Sequence, residues 1–215
     1  MVKEDNMNFY DVVKSRRTIR DFSDKKVDKE TVERILSAGL TAPTNDHLRS
    51  WEFVVLTDRE IIETIIKPIK KTTSEEQSVD SMLNSWGLSD TCQIDMYKEA
   101  LPKQYRMLIK SECLVLPFFK MDTPLLKPEN LSSLNEFASI WCCIENIILA
   151  VTAEKLGYAM RIPFEKETET IFEILQHPKE YFMPCFIAIG HPLNNAKLLE
   201  QKTQNIKEKI HLNKW

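Results

Sequence analysis

Apolar residues recur at helical spacing in several parts of the chain, separated by polar stretches. The clearest repeat lies in residues 32–40, where apolar positions follow the i, i+3, i+4, i+7, i+8 pattern of a buried stripe. Asp28 precedes the stripe as a candidate N-cap and Pro43 follows it, so a helix is predicted between them. Weaker repeats predict helices over residues 9–16, from Asp58 to about Lys70, and over residues 166–176.

Residues 132–156 form the longest predicted helix, with apolar side chains on nearly all of its sides. A helix of this composition is expected to lie at the centre of a domain, covered on every side. Gly157 follows it as its predicted C-cap. The most apolar part, residues 137–153, is too short for a membrane span and contains Glu145 and Asn146. No membrane segment is therefore predicted.

Three continuous apolar runs predict strands, at residues 51–56 (WEFVVL), 114–119 (LVLPFF) and 184–190 (PCFIAIG). The first is expected to be buried on both faces. Pro117 in the second run favours an edge position or the end of the strand, because proline lacks an N–H for the ladder. A shorter strand is predicted at residues 158–162.

The order of these elements is helices, strand, helix, strand, long helix, strand, helix, strand and tail, without internal repeats. It predicts a single α+β domain over residues 1–215, a mixed α/β sandwich whose central sheet is flanked by helices. Residues 72–95 lack a clear pattern, and the segment 72–110 is expected to be a mobile excursion or lid. The polar, Lys-rich tail at residues 194–215 is predicted to be a helix that packs on a second subunit.

Composition narrows the classes of function. The 215 residues carry a formal net charge of -3 and include 43% hydrophobic residues, which is typical of a folded chain without general affinity for nucleic acid. The five cysteines form no C-x-x-C pair, which predicts reduced thiols in the core of a cytoplasmic protein. The histidines show no metal-ligand spacing, so no metal site is predicted.

A cluster of arginines stands out in this chain, whose net charge is negative. The stretch SRRTIRDF places Arg16, Arg17 and Arg20 within five residues, with Thr18 among them. Basic residues at the end of the first helix would face the negative end of its dipole, which explains Arg16 and Arg17 but not Arg20. The four glycines are too far apart for a phosphate-binding glycine loop. A phosphate would depend on side chains, and arginine forks suit its oxygens.

A second candidate is the polar loop APTNDHLRSW at residues 42–51, which connects the second helix to the first strand. It is long for a plain connection and carries polar side chains at Thr44, Asn45, His47 and Arg49. Polar loops on a rigid scaffold commonly hold ligands. An ordinary turn-rich connection is the alternative, in which His47 hydrogen-bonds within the loop rather than giving a proton to a substrate.

Four motifs in order make the chain resemble the nitroreductase family of FMN-dependent oxidoreductases. They are RRTIRDF at 16–22, APT leading to WEF at 42–53, EN leading to LGY at 145–158, and IAIGHP at 187–192. Together they span nearly the whole chain. The resemblance implies an α+β fold and an intertwined homodimer with two FMN sites at the subunit interface.

The resemblance also implies roles for individual residues. Arg16, Arg17, Thr18 and Arg20 would hold the phosphate, ribityl chain and pyrimidine edge of FMN, with Arg20 stabilising the charge of the reduced ring. At His47 and Arg49 the chain departs from the Asn and Gln of many members. The other implied cofactor-binding residues are Pro43, Thr44 and Asn45 from the partner subunit, His47 in the same loop, Ile162, Pro163 and Phe164 beside the ring, and Lys202 at the phosphate.

The implied activity is ping-pong transfer of a hydride from NAD(P)H to flavin N5, followed by reduction of a small acceptor such as a nitroaromatic or a quinone. Three alternatives are open at this point. The chain could be a flavin-binding redox protein without turnover, or a reductive dehalogenase or flavin-fragmenting relative on the same scaffold. It could also be a helical interaction protein whose arginines bind an acidic partner.

Overall fold

A computed structural model describes residues 7–69, 76–122 and 125–215 of the chain. Within these ranges the chain forms a mixed helical and sheet structure. Its helices are α1 (Phe9–Ser15), α2 (Lys29–Leu40), α3 (Arg59–Ile66), α4 (Glu76–Ser85), α5 (Thr91–Ala100), α6 (Gln104–Ile109), α7 (Asn135–Ala153) and α8 (Glu165–Leu175). Its strands are β1 (Trp51–Leu56), β2 (Cys113–Lys120), β3 (Gly157–Arg161), β4 (Tyr181–Phe182) and β5 (Phe186–Gly190).

The strands form one antiparallel sheet in the order β1-β2-β5-β3, and β4 pairs with the end of β2. Trp51 lies opposite Phe119, and Gly157 lies opposite Gly190, so these two pairs mark opposite ends of the sheet. β1 and β3 are its two edges. The predicted α+β fold with a helix-flanked sheet is therefore confirmed.

The pleat of the strands divides the core into two layers, because successive side chains point to opposite faces. On one face, residues such as Val115 and Ile187 pack with α2 and α7. On the other face, residues such as Leu114 and Phe186 pack with α3, α6 and α8. The apolar periods of the helices and the continuous apolar runs of the central strands thus have one cause, a sheet covered on both sides.

Two predictions about the strands are wrong. β1 is not buried on both faces, because it is an edge strand whose middle residues are partly exposed. β2, in contrast, is central despite Pro117. On one side of β2, Val115 is the last residue paired with β5 and Phe119 is the first residue paired with β4. Pro117 lies in the gap between them, where that side of the strand has no registered neighbour.

The long helix differs from its prediction at both ends. A 3-10 turn at Leu131–Leu134 precedes α7, so the helical run is 23 residues and is long and apolar enough to cross a membrane by length and composition alone. Its buried residues pack with α2 and the sheet. Gly157 is not the C-cap: Glu154 caps α7, Lys155 takes the left-handed conformation with φ 58°, and Gly157 begins β3.

α7 is also not covered on every side, because Ala138, Cys142 and Glu145 are exposed along one face. The prediction of five core cysteines is wrong for Cys92 and Cys142, which are exposed. The other three are buried, and burial raises the pKa of Cys113 and Cys143 to about 12. Those two thiols therefore stay protonated near neutral pH.

The tail is not an α-helix. Its only helical turn in the described residues is the 3-10 turn at Ile206–Glu208, and its apolar side chains, including Leu212 and Trp215, are exposed. It has too few apolar contacts within the chain to fix a helix. The predicted excursion contains α4, α5 and α6, while residues 72–75 lie outside the described residues. Its mobility stays a prediction.

Candidate active site

The arginine segment is attached to one end of the sheet by two apolar anchors. A Cβ on Gly157 would lie 3.0 Å from Cβ of Ile19, and one on Gly190 would lie 3.0 Å from Cδ1 of Phe22. Each glycine therefore makes room for one of these side chains at the point where β3 begins and β5 ends. The alternation of apolar and charged residues in TIRDF has a structural reason: Ile19 and Phe22 anchor the backbone that carries the charges.

Backbone hydrogen bonds complete the attachment. Thr18 forms a parallel bridge with Tyr158, and the amide of Ile19 donates to the carbonyl of Tyr158 over 2.8 Å. Further along, the amide of Ser23 donates to the carbonyl of His191 over 2.9 Å. The segment thus crosses the sheet end as a fixed strip, which restricts where its guanidinium groups can lie.

Two of the three arginines already have partners within the chain. Arg16 Nη1 donates to the hydroxyl of Tyr158 over 2.6 Å. Arg17 Nη1 donates to the carbonyls of Lys14 and Arg16, each over 2.8 Å. Arg17 therefore satisfies carbonyl groups at the end of α1, the role that the helix-end interpretation gave it.

Arg20 is different. Its side chain is partly buried, and within the described ranges it has no hydrogen bond or ion pair, only longer-range electrostatic interactions with Glu99, Asp21 and Tyr158. Desolvation lowers the pKa of Arg20, and the charges of Glu99 and Asp21 oppose that effect. A partly desolvated guanidinium that no described residue hydrogen-bonds leaves its five donors for other partners, which makes it a fit position for an anionic ligand.

The two carboxylates near Arg20 belong to an ionic cluster. Lys103 Nζ lies 2.5 Å from Oδ2 of Asp21 and also bonds the carboxylate of Glu99. Arg106 and Lys197 lie at its rim, 3.4 Å from Asp21 and 3.5 Å from Glu99 respectively. The cluster joins the arginine segment to α5, α6 and the beginning of the tail, so the predicted excursion packs beside the site.

The tail also reaches this end of the sheet. Gln201 Nε2 donates to the carbonyl of Arg16 over 3.2 Å, which brings the neighbouring Lys202 to the arginine segment. Lys202 Nζ pairs with Oδ2 of Asp90, at the N-cap of α5, over 2.7 Å. Lys202 therefore lies near the arginines, but its ammonium group is paired with the carboxylate of Asp90.

Ile162, Pro163 and Phe164 follow directly after β3. Ile162 comes four positions after Tyr158, so the two residues lie about 13 Å apart along β3 at the rise of a strand. Ile162 and Phe164 are exposed apolar residues. This segment has few backbone donors left for a ligand. Pro163 has no N–H, and the amide of Phe164 already donates to Oε2 of Glu167 over 3.0 Å. That carboxylate is fixed in turn by Arg161, whose Nη2 donates to Oε1 over 2.8 Å.

The loop after α2 occupies a different part of the chain. The amide of Asn45 donates to Oγ of Ser139 over 3.0 Å, near the start of α7. Asp46, His47 and Arg49 all have positive φ values between 48° and 54°, a costly conformation for residues other than glycine. The loop borders a cavity of about 310 Å³. The cavity is lined by Leu40, Thr41, Ala42, Pro43, Thr44, His47 and Arg49.

The single chain therefore assembles one part of the predicted site and not the other. Arg16, Arg20 and Lys202 lie together at the Gly157–Gly190 end. Thr44 and Asn45 lie at the opposite end of α7, and the helix spans about 20 Å between Ser139 and Ala153. Among the residues the structure describes, no group of three or more His, Cys, Asp or Glu is placed to hold a metal ion.

Sequence reasoning missed three residues of this site. Tyr158 belongs to the LGY motif, but nothing local indicates that its hydroxyl meets Arg16. Asp21 and Lys103 are 82 positions apart and have no shared pattern. The only sequence signal was the charge of Asp21 within an arginine-rich stretch.

Comparison with known proteins agrees with the fold. The sequence profile of the Nitroreductase family matches residues 13–191. The NADPH-dependent oxidoreductase of Staphylococcus haemolyticus (strain JCSC1435) is 27% identical over 189 residues, which are 86% of this chain and 65% of that protein.

Two solved structures show the same fold. Oxidised iodotyrosine deiodinase bound to FMN and 3-iodo-L-tyrosine has a TM-score of 0.71 and 19% identity, covering 96% of this chain and 99% of its own. The FMN-dependent nitroreductase of Clostridium difficile R20291 has a TM-score of 0.64 and 21% identity, covering 95% and 98% respectively.

Proposed function

Because the chain belongs to the nitroreductase family, we propose that it is an FMN-dependent oxidoreductase that passes electrons from NAD(P)H to a small acceptor. A nitroaromatic or a quinone is the proposed class of acceptor. The observation that carries the proposal is Arg20, a partly buried guanidinium without an ionic partner in the described chain, on a strip fixed to the sheet. Its donors fit an anionic group such as the phosphate or the reduced ring of FMN.

The proposed division of work follows the contacts. Arg20, Thr18 and Arg16 would hold the anionic and polar parts of the cofactor, with Arg16 oriented by Tyr158. Ile162 and Phe164 offer exposed apolar surface just beyond the end of β3, suited to a flat ring. When bound, FMN supplies a ring that accepts a hydride and releases electrons to a second substrate. We propose that donor and acceptor use the same site in turn, which gives ping-pong kinetics.

The same proposal includes a homodimer. The chain exposes 14508 Å², whereas a compact monomer of 25.1 kDa exposes roughly 10,300 Å². The excess, about 4,200 Å² per chain, is more than enough for an obligate dimer interface, which buries roughly 1,000–2,500 Å² on each partner. The open face of α7 and the exposed apolar residues of the tail supply such surface. A second copy would bring Pro43, Thr44, Asn45 and His47 to the arginine strip, which a single chain leaves about 20 Å away.

Visible spectroscopy tests the proposal. Purified protein reconstituted with FMN should show the absorption bands of oxidised flavin at one FMN per subunit. Anaerobic NADH or NADPH should bleach the bands, and a quinone or nitroarene should restore them. An Arg20→Ala variant should lose most of its FMN affinity, whereas Arg17→Ala should lose less because Arg17 caps α1.

The outcomes separate the alternatives. A protein that takes up no FMN is not a flavoenzyme, and an interaction protein becomes the better interpretation. FMN that binds stably but is not reduced by NADH or NADPH indicates a flavin-binding redox protein that does not turn over NAD(P)H. Full FMN affinity in Arg20→Ala would show that the anionic contacts lie elsewhere.

Reductive dehalogenation is a second candidate. It is favoured by the ionic contacts that hold α5 beside the site, Lys103 with Asp21 and Lys202 with Asp90, because an excursion held there would be in a position to enclose a substrate. The fold is shared with a deiodinase bound to 3-iodo-L-tyrosine. Release of iodide from that compound by the chemically reduced protein, measured against the quinone rate, distinguishes the two candidates.

A further inference from the structure

Lys103 lies between two carboxylates that both act on Arg20. Its Nζ is 2.5 Å from Oδ2 of Asp21 and bonds Glu99 as well. All three side chains are largely buried: 20% of the Lys103 side chain is exposed, and 11% of each carboxylate. The lysine comes just after α5, so the contact joins the excursion to the arginine segment.

The two remaining cations of this cluster are poor substitutes for Lys103. Arg106 is 3.4 Å from Asp21 and its side chain is 58% exposed. Lys197 is 3.5 Å from Glu99 and its side chain is 63% exposed. Solvent screens such rim contacts, so they hold the carboxylates less firmly than a buried ammonium does.

Arg20 is a third cation within electrostatic range of the carboxylates, and it is less exposed than Arg106 and Lys197. It is adjacent to Asp21 in sequence and within electrostatic range of Glu99, and it has no ion pair of its own in the described residues. Without Lys103, these partly buried carboxylates would keep only the exposed, solvent-screened Arg106 and Lys197 as counter-ions, which is costly, and Arg20 would relieve that cost. An Arg20 paired in this way would have fewer donors to give to a ligand.

We propose that Lys103 is a positioning residue that holds Asp21 and Glu99 and thereby keeps the Arg20 guanidinium available for the anionic part of the cofactor. The inference rests on the proposed function. It extends that function to a residue that does not touch the cofactor and lies outside all four sequence motifs. The excursion is then required for cofactor affinity through one buried charge.

FMN affinity of the Lys103→Met variant is the primary test. Methionine keeps the length of the side chain and removes its charge. Because an Arg20 paired to Glu99 or Asp21 loses a charge-assisted interaction with the ligand, FMN should bind about tenfold more weakly or worse, measured by quenching of flavin fluorescence. Lys98→Met is the matched control. It removes a more exposed ion pair of the same excursion, 3.1 Å to Asp80 of α4, and should leave the affinity unchanged.

Rescue distinguishes positioning from general damage. The double variant Glu99→Gln/Lys103→Met removes the main competitor for Arg20 and should recover most of the lost affinity. The reduction potential of bound flavin should fall in Lys103→Met and return in the double variant, because Arg20 favours the anionic reduced form. A tenfold loss of that preference corresponds to about 30 mV for two electrons.

Three results overturn the inference. Unchanged FMN affinity in Lys103→Met shows that Arg20 does not depend on Lys103. Failure of the double variant to recover affinity shows that Lys103 binds the ligand itself or supports the fold. Wild-type protein that takes up no FMN overturns the proposed function together with this inference, whereas the first two results leave the proposed function intact.

Discussion

The guanidinium of Arg16 donates a 2.6 Å hydrogen bond to the hydroxyl of Tyr158, which is 142 residues away in the sequence. The backbone of the same tyrosine bonds Ile19, and Thr18 is its bridge partner. Tyr158 therefore fixes the arginine strip through its main chain and one arginine through its side chain. Tyr158 is a buried residue at the start of an edge strand, so the sheet restrains the position of the arginine strip.

Tyr158→Phe is expected to weaken FMN binding several-fold and to lower the free energy of unfolding by about 1 kcal/mol. The ring still fills its place in the core, but Arg16 loses the acceptor that orients it. Fluorescence titration with FMN and urea denaturation measure the two effects. Tyr97→Phe is the control, because Tyr97 packs on Trp86 in a separate cluster. Equal FMN affinity in wild type and Tyr158→Phe would show that Arg16 needs no orientation.

Gly39→Ala is expected to destabilise the fold at the contact between α2 and α7. The new Cβ would lie 2.6 Å from Cγ1 of Ile147 and 3.1 Å from Sγ of Cys143, both in the buried core. Overpacking of this kind costs about 1–3 kcal/mol, more than the gain of about 0.5–1 kcal/mol that alanine brings to a helix. Urea denaturation should show the loss, and Ser37→Ala on the exposed side of α2 should not. A Gly39→Ala protein as stable as wild type would mean that the two helices can separate without cost.

Stability is expected to fall in acid through the N-cap of α2. Asp28 Oδ2 accepts from the hydroxyl of Thr31 over 2.8 Å, and Oδ1 accepts from its amide over 2.7 Å. These bonds, the hydroxyl first, lower the pKa of Asp28 below its ordinary value of 3.8. A carboxylate with a depressed pKa stabilises the fold above the pKa it has in the unfolded chain. That contribution is lost as the pH falls through the lower, folded value.

Urea denaturation between pH 7 and pH 3 measures this contribution. Asp28→Asn keeps a cap but cannot change charge. The free energy of unfolding of the wild type should therefore exceed that of the variant at pH 7 and approach it below about pH 4. Thr31→Val keeps the backbone donor and removes the hydroxyl, so it should lose part of the same pH dependence. A difference between wild type and Asp28→Asn that is constant across this range would contradict the prediction.

Local chemistry accounts for the parts of the fold that the sequence predicts. Three features depend only on neighbours within a few residues: the cap at Asp28, the apolar stripe that follows it and the apolar run of β5. Their patterns can therefore be recognised in the sequence. The position of Pro117 depends on where β4 ends and β5 begins, which is set some 65 residues later in the chain. The contact of Lys103 with Asp21 and the left-handed residue at Lys155 likewise follow from packing rather than from composition.

The candidate site divides in the same way. The arginine strip was found because guanidinium groups in an acidic chain are conspicuous. The glycines that make room for Ile19 and Phe22, in contrast, carry no local signal of that contact. Gly157 was predicted as a helix cap because glycine commonly ends helices. Its actual reason is the close approach of Ile19 across the end of the sheet, a contact that only the folded chain reveals.

The open face of α7 provides the last prediction. Ala138, Cys142 and Glu145 lie exposed on one side of a helix whose other sides are in the core. If this face meets a second copy, an arginine placed there would bury an unpaired charge at the interface. Cys142→Arg is therefore expected to give a monomer by sedimentation or light scattering.

The same variant should also lose FMN, because each proposed site needs the partner's loop at residues 43–47. Cys142→Ser is the conservative control and should remain dimeric with full FMN content. Thr64→Arg introduces the same charge at an exposed position of α3, across the sheet from α7, and should also remain dimeric. A Cys142→Arg protein that stays dimeric would place the interface elsewhere. A monomeric variant that keeps its FMN would show that one chain is sufficient for the site, and the cofactor roles proposed for Pro43, Thr44 and Asn45 would then be wrong.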